Sequence, residues 1–270
     1  MDWMKKLDEN KRIRDLNAIP KSHNSGAVKP GNLLKFLPWQ WAQCQNKSIT
    51  KQLEVGIRAF DLRLKRKKNG EINIPHCLES EYCLKEVISE TRDFLKKNPS
   101  ETVFLFFKRQ WSTRDDWKPC YTCELWNTIN NGPVIEQDIN LNEPLKNIRG
   151  RIVPIPERHL HSSLCKGKLD SCENILVNDS WSLKTLCGVT NNIKQFLIEN
   201  NDGVNNKILE IQLNYVAFHG IIPPRIASFF TNTWFRNKIE TFKAWNDKPG
   251  FIGIDFADKE TCKSIYEMNF

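Results

Sequence analysis

The sequence predicts an α/β fold built as a parallel (β/α) barrel, and three observations predict it. Apolar segments of strand length alternate with amphipathic segments of helix length along the whole chain. Polar residues recur at the carboxyl ends of the strand-like segments, where such barrels carry their functional groups. No long low-complexity linker or internal repeat interrupts the 270 residues, so a single domain covering 1–270 is expected. An open doubly wound sheet is the alternative architecture. Neither GxGxxG nor GxxxxGK[ST] occurs to supply a glycine-rich phosphate loop.

Taken in order, Asp2–Asn17 carries Trp3, Met4, Leu7, Ile13 and Leu16 in a charged background and reads as a short helix. A short buried strand then runs into Ile19-Pro20-Lys21-Ser22-His23-Asn24-Ser25-Gly26, whose turn-forming residues present His23. Trp39–Gln45 and Ser48–Val55 read as helices, the second stopped by Gly56. Ile57–Leu64 alternates, so Asp61 and Arg63 share one face of a strand. Two charges there are costly unless they pair or serve a site. Ile72–His76 reads as a strand ending in a second histidine.

Leu84–Lys97 is an amphipathic helix closed by Asn98-Pro99, and Thr102–Phe107 an apolar strand followed by Lys108-Arg109. Strands are expected at Ile148–Ile155, at Ile175–Val177 leading to Asp179-Ser180-Trp181, and at Ile208–Leu213. Leu183–Glu199 and Ile226–Trp245 read as helices. Phe251–Phe256 closes the chain as an apolar strand with one carboxylate, Asp255.

A net charge of +8 favours anionic partners, such as phosphates or anionic lipid. No nucleic-acid fingerprint accompanies it, so no nucleic-acid partner is expected. The run Lys65-Arg66-Lys67-Lys68 ends in Asn69-Gly70 and reads as a solvated loop tip, with attraction to a membrane surface as its functional alternative. No apolar run approaches the ~20 residues of a membrane span, and Met1–Gly26 lacks a signal-peptide core. A peripheral membrane protein is expected, inside the cell or secreted after loss of a leader. Of the nine cysteines, Cys77/Cys83, Cys120/Cys123 and Cys165/Cys172 are close enough in sequence to pair. Zinc at Cys120/Cys123 is disfavoured because no second ligand pair follows at the right spacing.

His23, Asp61, Arg63, His76 and Asp255 all fall near predicted strand ends. Two histidines, an arginine and two carboxylates suit phosphoryl transfer without a metal. One histidine takes a proton from the attacking hydroxyl, the other protonates the leaving oxygen, and arginine stabilises the phosphoryl charge. The plain alternatives are a buried Asp61–Arg63 pair and a strand-end role for Asp255.

These residues lie in ordered motifs. Ile19-Pro-Lys-Ser-His-Asn-Ser-Gly26 is similar to I-P-G-T-H-D/N-S/A-G. Trp41-Ala-Gln-Cys-Gln45, Ser48-Ile-Thr-Lys-Gln-Leu-Glu-Val-Gly-Ile-Arg-Ala-Phe-Asp-Leu-Arg63 and Phe94-Leu-Lys-Lys-Asn-Pro-Ser-Glu-Thr-Val103 follow in the same order. Together they resemble the X domain of phosphatidylinositol-specific phospholipase C, in particular the small single-domain bacterial and protozoan enzymes. The resemblance is strong over the first ~105 residues and thinner beyond, at Arg149–Val153, Asp179 and Gly250–Phe256.

The resemblance implies a distorted, incompletely closed TIM-type barrel that cleaves phosphatidylinositol, or its glycosylated anchor form, to diacylglycerol and inositol 1,2-cyclic phosphate. It implies His23 as general base, His76 as general acid, Arg63 as phosphate stabiliser, Asp255 as the partner of His23, and Asp61 in support. Asn24 belongs to the same catalytic group, and Lys108, Arg158, Asp179 and Trp181 to the inositol-binding set. No cofactor is implied, and the chain is expected to act as a monomer on a lipid surface. A catalytically silent inositide-binding module of the same fold is the alternative.

Three departures stand out. Asn24 replaces the Asp of the secreted bacterial enzymes, as it does in the calcium-dependent animal enzymes and, separately, in the protozoan anchor-cleaving ones. Those calcium-dependent members carry a carboxylate where this chain has Arg63, which would repel a calcium ion, so metal-independent catalysis is expected. His76-Cys77 replaces His-Gly, and Lys21-Ser22 replaces Gly-Thr. Trp41–Ile49 resembles the protozoan anchor-cleaving type. Phe229–Trp234 and Phe36–Trp41 are candidate interfacial segments, although core packing is expected for most of their aromatics.

Overall fold

Among the described residues, seven strands lie side by side in parallel, in the order β5-β4-β2-β1-β8-β7-β6. They are β1 (Ala18–Ser22), β2 (Ala59–Arg66), β4 (Val103–Arg109), β5 (Ile152–Pro156), β6 (Ile175–Asn178), β7 (Ile208–Gln212) and β8 (Gly250–Ile254). A two-residue strand β3 (Ile72–Asn73) pairs antiparallel with the end of β2. The computed structural model describes residues 1–28, 40–67, 69–75, 82–109, 142–156, 175–179, 185–200, 207–214, 221–244 and 248–270. Among these, chain order runs round the curled sheet from β6 through β1 to β5, and no pairing joins β5 to β6. The barrel is therefore incompletely closed.

The edge is written into β5. The Arg151 carbonyl accepts from Val103 N on the β4 side, so by strand alternation Pro154 and Pro156 turn their nitrogens away from β4. Proline has no N–H, and an open edge is where a missing donor strands nothing.

The helices are α1 (Ile49–Val55), α2 (Leu84–Lys97), a single turn α3 (Leu145–Ile148), α4 (Leu186–Asn200), α5 (Pro224–Ala244) and α6 (Lys259–Tyr266). Ser48 caps α1 by accepting from Lys51 N at 3.2 Å, and Gly56 ends it at φ 119°, a conformation that favours glycine. Cys83 precedes α2, with its N–H donating to Glu86 at 2.7 Å.

Several expectations need correction. Asp2–Asn17 forms two 3₁₀ turns, Trp3–Lys6 and Ile13–Asp15, because its apolar residues spread over the sheet rather than along one helix face. The strand expected from Ile148 begins at Ile152, since the chain turns through Gly150 at φ 73°. Helix α6 follows the last strand instead of the chain ending there. Its signal was present in the Asp258 cap on Thr261 and in the spacing of Cys262, Ile265 and Tyr266. Cys83 is a free thiol, as are Cys44, Cys187 and Cys262; Cys77, Cys120, Cys123, Cys165 and Cys172 lie outside the described residues.

Two apolar layers flank the sheet. Outside, Phe60, Leu62 and Leu64 of β2 pack with Val87, Ile88 and Leu95 of α2. Inside, Ile19, Ala59, Phe104, Phe106, Val153, Ile155, Ile208 and Phe251 fill the barrel, and Trp3, Met4, Leu7, Ile13 and Leu16 join the same cluster at its amino end. Arg58 is fully buried and pairs with Glu101 at 2.7 Å, while donating to the Leu53 and Ile57 carbonyls. With the amino end so packed, the functional groups are left to the carboxyl end.

Candidate active site

Strand parity explains why polar groups meet at one place. Outward residues of β2 join the helix layer, so Asp61 and Arg63 point inward. The same alternation turns Lys21 and His23 inward from β1, Lys108 from β4, Glu210, Gln212 and Asn214 from β7, and Gly253 and Asp255 from β8. Arg63 and Lys108 stand opposite each other in parallel register.

At the rim, His23 Nδ1 lies 2.8 Å from Asp255 Oδ1, joining residues 232 positions apart. With the Asp255 carboxylate accepting at Nδ1, the ring proton belongs there, and Nε2 is left as an acceptor. The Asn24 amide nitrogen lies against the ring, 2.7 Å from Nε2 and 3.4 Å from Nδ1, and the Asn214 amide nitrogen lies 3.3 Å from Nε2. Backbone contacts hold the pair: His23 N donates to the Ile254 carbonyl, and Asn232 Nδ2 donates to the Asp255 carbonyl. Gln45 is fully buried and clamps both strand ends, donating to the His23 and Ile254 carbonyls at 2.9 Å each and accepting from Ala257 N.

Asn24 adopts φ 43°, in the left-handed region that asparagine tolerates better than most residues. Its position is fixed from behind by a lattice of hydroxyls. Ser22 Oγ donates to Ser25 Oγ, Ser25 Oγ donates to the Ser22 carbonyl, and Asp61 N donates to Ser25 Oγ at 2.8 Å.

Beneath the rim sits a ladder of alternating charge. Lys21 Nζ is 2.7 Å from Glu210 Oε1, and both are buried. Lys108 Nζ is 3.9 Å from the same Glu210 oxygen and 3.6 Å from Asp61 Oδ1. Gln212 Nε2 also donates to Glu210 Oε1, at 2.6 Å. A Cβ on residue 253 would meet the Gln212 side chain, so Gly253 makes room for it. Burial pulls the Lys21 ammonium down to about 8, against the Glu210 charge that supports it. Burial alone would raise the carboxyls of Asp61 and Glu210. Lys108 and Lys21 together hold both below the usual carboxylate value. Burial opposes the charge on Lys108, but Asp61 and Glu210 raise its pKa above the ordinary lysine value, with help from Asp179.

Several buried polar atoms around the site lack a hydrogen-bond partner among the described residues: Arg63 Nε, Asn24 Oδ1, Asn214 Oδ1 and Asp61 Oδ1. Such atoms clustered at one mouth are donors and acceptors for water or a polyhydroxylated, anionic ligand. For a cation, His23, Cys44 and Asp255 offer ligand atoms within 4.8 Å of one another. The His23 and Asp255 atoms already engage each other. Burial, reinforced by Asp255, pushes the Cys44 thiol well above its ordinary pKa, so binding there would have to expel its proton.

Of the residues expected at a site, His23, Asn24, Asp61, Arg63, Lys108 and Asp255 are brought together. Asp179 is exposed at the end of β6, near enough to act on Lys108. His76, Arg158 and Trp181 lie outside the described residues. Sequence reasoning missed Lys21, Gln45, Glu210, Gln212, Asn214 and Asn232. The clue on β7 was the polar alternation of Glu210, Gln212 and Asn214 in an otherwise Ile/Leu strand. On the rim, α5 carries exposed Ile226, Phe229 and Phe230 at helical spacing, with the two rings edge to face at 5.6 Å. Core packing, the expectation for most of these aromatics, holds for Trp234 but not for Phe229 and Phe230, whose rings are exposed among the described residues.

Comparison with known proteins bears on the fold and the family. Residues 19–153 match the family model "Phosphatidylinositol-specific phospholipase C, X domain". A 1-phosphatidylinositol phosphodiesterase of Listeria monocytogenes is 26% identical, the alignment covering 99% of this chain and 84% of that protein. One from Staphylococcus aureus is 28% identical over 56% of this chain, an alignment that spans only 49% of the relative's length. The solved phosphatidylinositol-specific phospholipase C of Listeria monocytogenes superposes with a TM-score of 0.80, covering 100% of this chain and 98% of that one at 23% identity. At that identity the likeness speaks for the fold. The matched segment runs from β1 into β5, half of the chain, and includes His23, Asp61, Arg63 and Lys108: the chain belongs to the phosphatidylinositol-specific phospholipase C X-domain family.

Proposed function

We propose that this chain cleaves phosphatidylinositol, or the glycosylated form that anchors proteins, into diacylglycerol and inositol 1,2-cyclic phosphate. The observation that carries the reading is the 2.8 Å His23–Asp255 pair, set at the barrel mouth beside Arg63 and Lys108. In this reading His23 Nε2 takes the proton of the inositol 2-hydroxyl as that oxygen attacks phosphorus. Asp255 holds the ring and favours the imidazolium that forms. The bond from phosphorus to the diacylglycerol oxygen breaks, and His76 gives that oxygen a proton. Arg63 meets the charge that develops on the phosphoryl oxygens. Lys108 and Asp179 bind inositol hydroxyls, with Arg158 and Trp181 in the same set. Asn24 and Asn214 pack against the ring near Nε2 until substrate displaces their contacts.

Catalysis in this scheme needs no metal, since Arg63 and Lys108 already supply the positive charge a calcium ion would bring. Phosphatidylinositol vesicles assayed in EDTA should be cleaved as fast as in calcium. Loss of turnover in EDTA, restored by calcium, would exclude the scheme. Release of an anchored surface protein, measured in parallel, separates the two substrates. Absence of any turnover with retained inositide binding would favour the silent-module alternative.

The substrate is a lipid, and the exposed face of α5 is the surface suited to meet it. Asn232 of the same helix touches Asp255, so Phe229 and Phe230, less than one turn earlier, lie at the rim of the site. No described helix is long and apolar enough to cross a membrane, which leaves peripheral contact. Replacing both rings with serine should weaken vesicle sedimentation about ten-fold or more, from the apolar area removed. Cleavage of a short-chain soluble phosphatidylinositol should change little. Unaltered vesicle binding would remove α5 from the interface.

A further inference from the structure

The ladder beneath the rim contains a pair that the reaction scheme does not use, Lys21 and Glu210. Lys21 stands where the motif ordinarily has glycine. A glycine would leave the Glu210 carboxylate buried with Lys108 as the nearest cation among the described residues. In this chain Lys21 lies 2.7 Å from Oε1 of that carboxylate, from the side of the barrel away from the rim, and its ammonium rests 3.4 Å from the centroid of Phe106, while Glu210 Oε2 has no hydrogen-bond partner among the described residues. Gln212 takes the same oxygen at 2.6 Å. Lys108 is left at 3.9 Å from Glu210 and 3.6 Å from Asp61, distances longer than a hydrogen bond to either.

We propose that Lys21 is a positioning residue: by balancing the Glu210 charge at close range it keeps the Lys108 ammonium at the mouth of the barrel, with donors available to the inositol hydroxyls. Lys108 is held there by the field of two carboxylates rather than by a short bond to one of them. Removing the Lys21 charge would leave Glu210 with one cation instead of two, and the flexible Lys108 stem would draw its ammonium down toward that carboxylate.

Among the described residues, the charged groups that face Lys21 are Glu210 on β7, Lys108 on β4 and Asp61 on β2, and the ring of Phe106 lies beside its ammonium. Because burial brings the Lys21 pKa down to about 8, mildly alkaline solution should have the same effect as replacing the residue.

Since Lys108 is assigned to the substrate only under the function proposed above, two readouts are needed. The first is independent of turnover. In isotope-labelled lysine NMR, with the Lys108 signal identified by its loss in Lys108→Met, that signal should move near pH 8 in the unaltered chain. It should be displaced at neutral pH in Lys21→Met. A Lys108 signal with no inflection there, and unmoved by Lys21→Met, overturns the assignment whether or not the chain cleaves lipid.

The second readout is kinetic. Lys21→Met should raise KM for phosphatidylinositol roughly ten-fold with a smaller change in kcat, as for side chains coupled in one ion-pair network. Adding Glu210→Gln removes the competing carboxylate, so the double variant should recover most of that loss. In a Lys108→Met background, Lys21→Met should have no further effect. A double variant as impaired as Lys21→Met alone, or additive effects of Lys21→Met and Lys108→Met, would mean that Lys21 serves only to fill the core. An unaltered chain with no turnover counts against the proposed function, and the NMR result then decides the role of Lys21.

Discussion

His23→Ala should lower turnover of phosphatidylinositol by about 10²–10⁴-fold, the usual contribution of a positioned general base. The reason to expect a folded variant is that the backbone around His23 is held without its ring. Its N–H bonds the Ile254 carbonyl, its own carbonyl accepts from Gln45, and Gln45 ties both to β8. Alanine keeps all of these but leaves the buried Asp255 carboxylate without its Nδ1 partner, so the melting temperature should fall by a few degrees while the chain still folds and the base disappears. Asp255→Asn tests the same step from the other side. An amide can present a donor to Nδ1, which would place the ring proton on Nε2 and block its use as a base. Both variants should be measured for kcat and for melting temperature. A His23→Ala chain that folds normally and retains half of the original turnover would end the assignment.

Arg63→Lys should reduce kcat by about 10²–10³-fold, the range for removing one electrostatic contact to a developing anion. Charge is conserved in this substitution, so the loss would report geometry. Guanidinium offers a planar fork that matches two phosphoryl oxygens, whereas ammonium is a point charge on a flexible stem. Arg63 is buried on its Nε side with no bond there among the described residues, and it faces inward across from Lys108. A lysine at 63 would leave two ammonium groups in adjacent register without the fork. Equal kcat for the two chains, on vesicles and on soluble substrate, would move the phosphate away from Arg63. A rise in KM at constant kcat would instead assign Arg63 to ground-state binding.

The strands that carry the chemistry were legible because each has a local signature. Asp61 and Arg63 stand two apart in an apolar run, His23 sits in a turn after a buried segment, and Asp255 is the one carboxylate of an apolar strand. The order of motifs from Ile19 to Val103 joined them into one family pattern, and the matched segment 19–153 contains that whole run. What escaped was of two kinds. Secondary structure was missed where tertiary packing overrode local spacing, as in the 3₁₀ turns of the first residues, which spread Trp3, Met4 and Leu7 beneath the barrel. Site residues were missed where the partner is remote. Lys21 looked like an exchange in a turn motif, and Glu210 like one polar residue in a strand.

The sequence by itself determined the alternation of strand and helix, the family motifs, and the residue types available for proton and phosphate chemistry. Those are local properties, set by side-chain period and turn chemistry within a few residues. Only the tertiary structure decided that His23 meets Asp255 and that Lys21 meets Glu210. It also decided that the Phe229 and Phe230 rings face outward. In a parallel barrel both faces of a strand are buried, so a polar residue's parity says inward or outward but not which remote side chain will balance it. That choice is made by strand order and register, β1 beside β8 and β8 beside β7, which brings the groups of three distant segments to one end of the barrel.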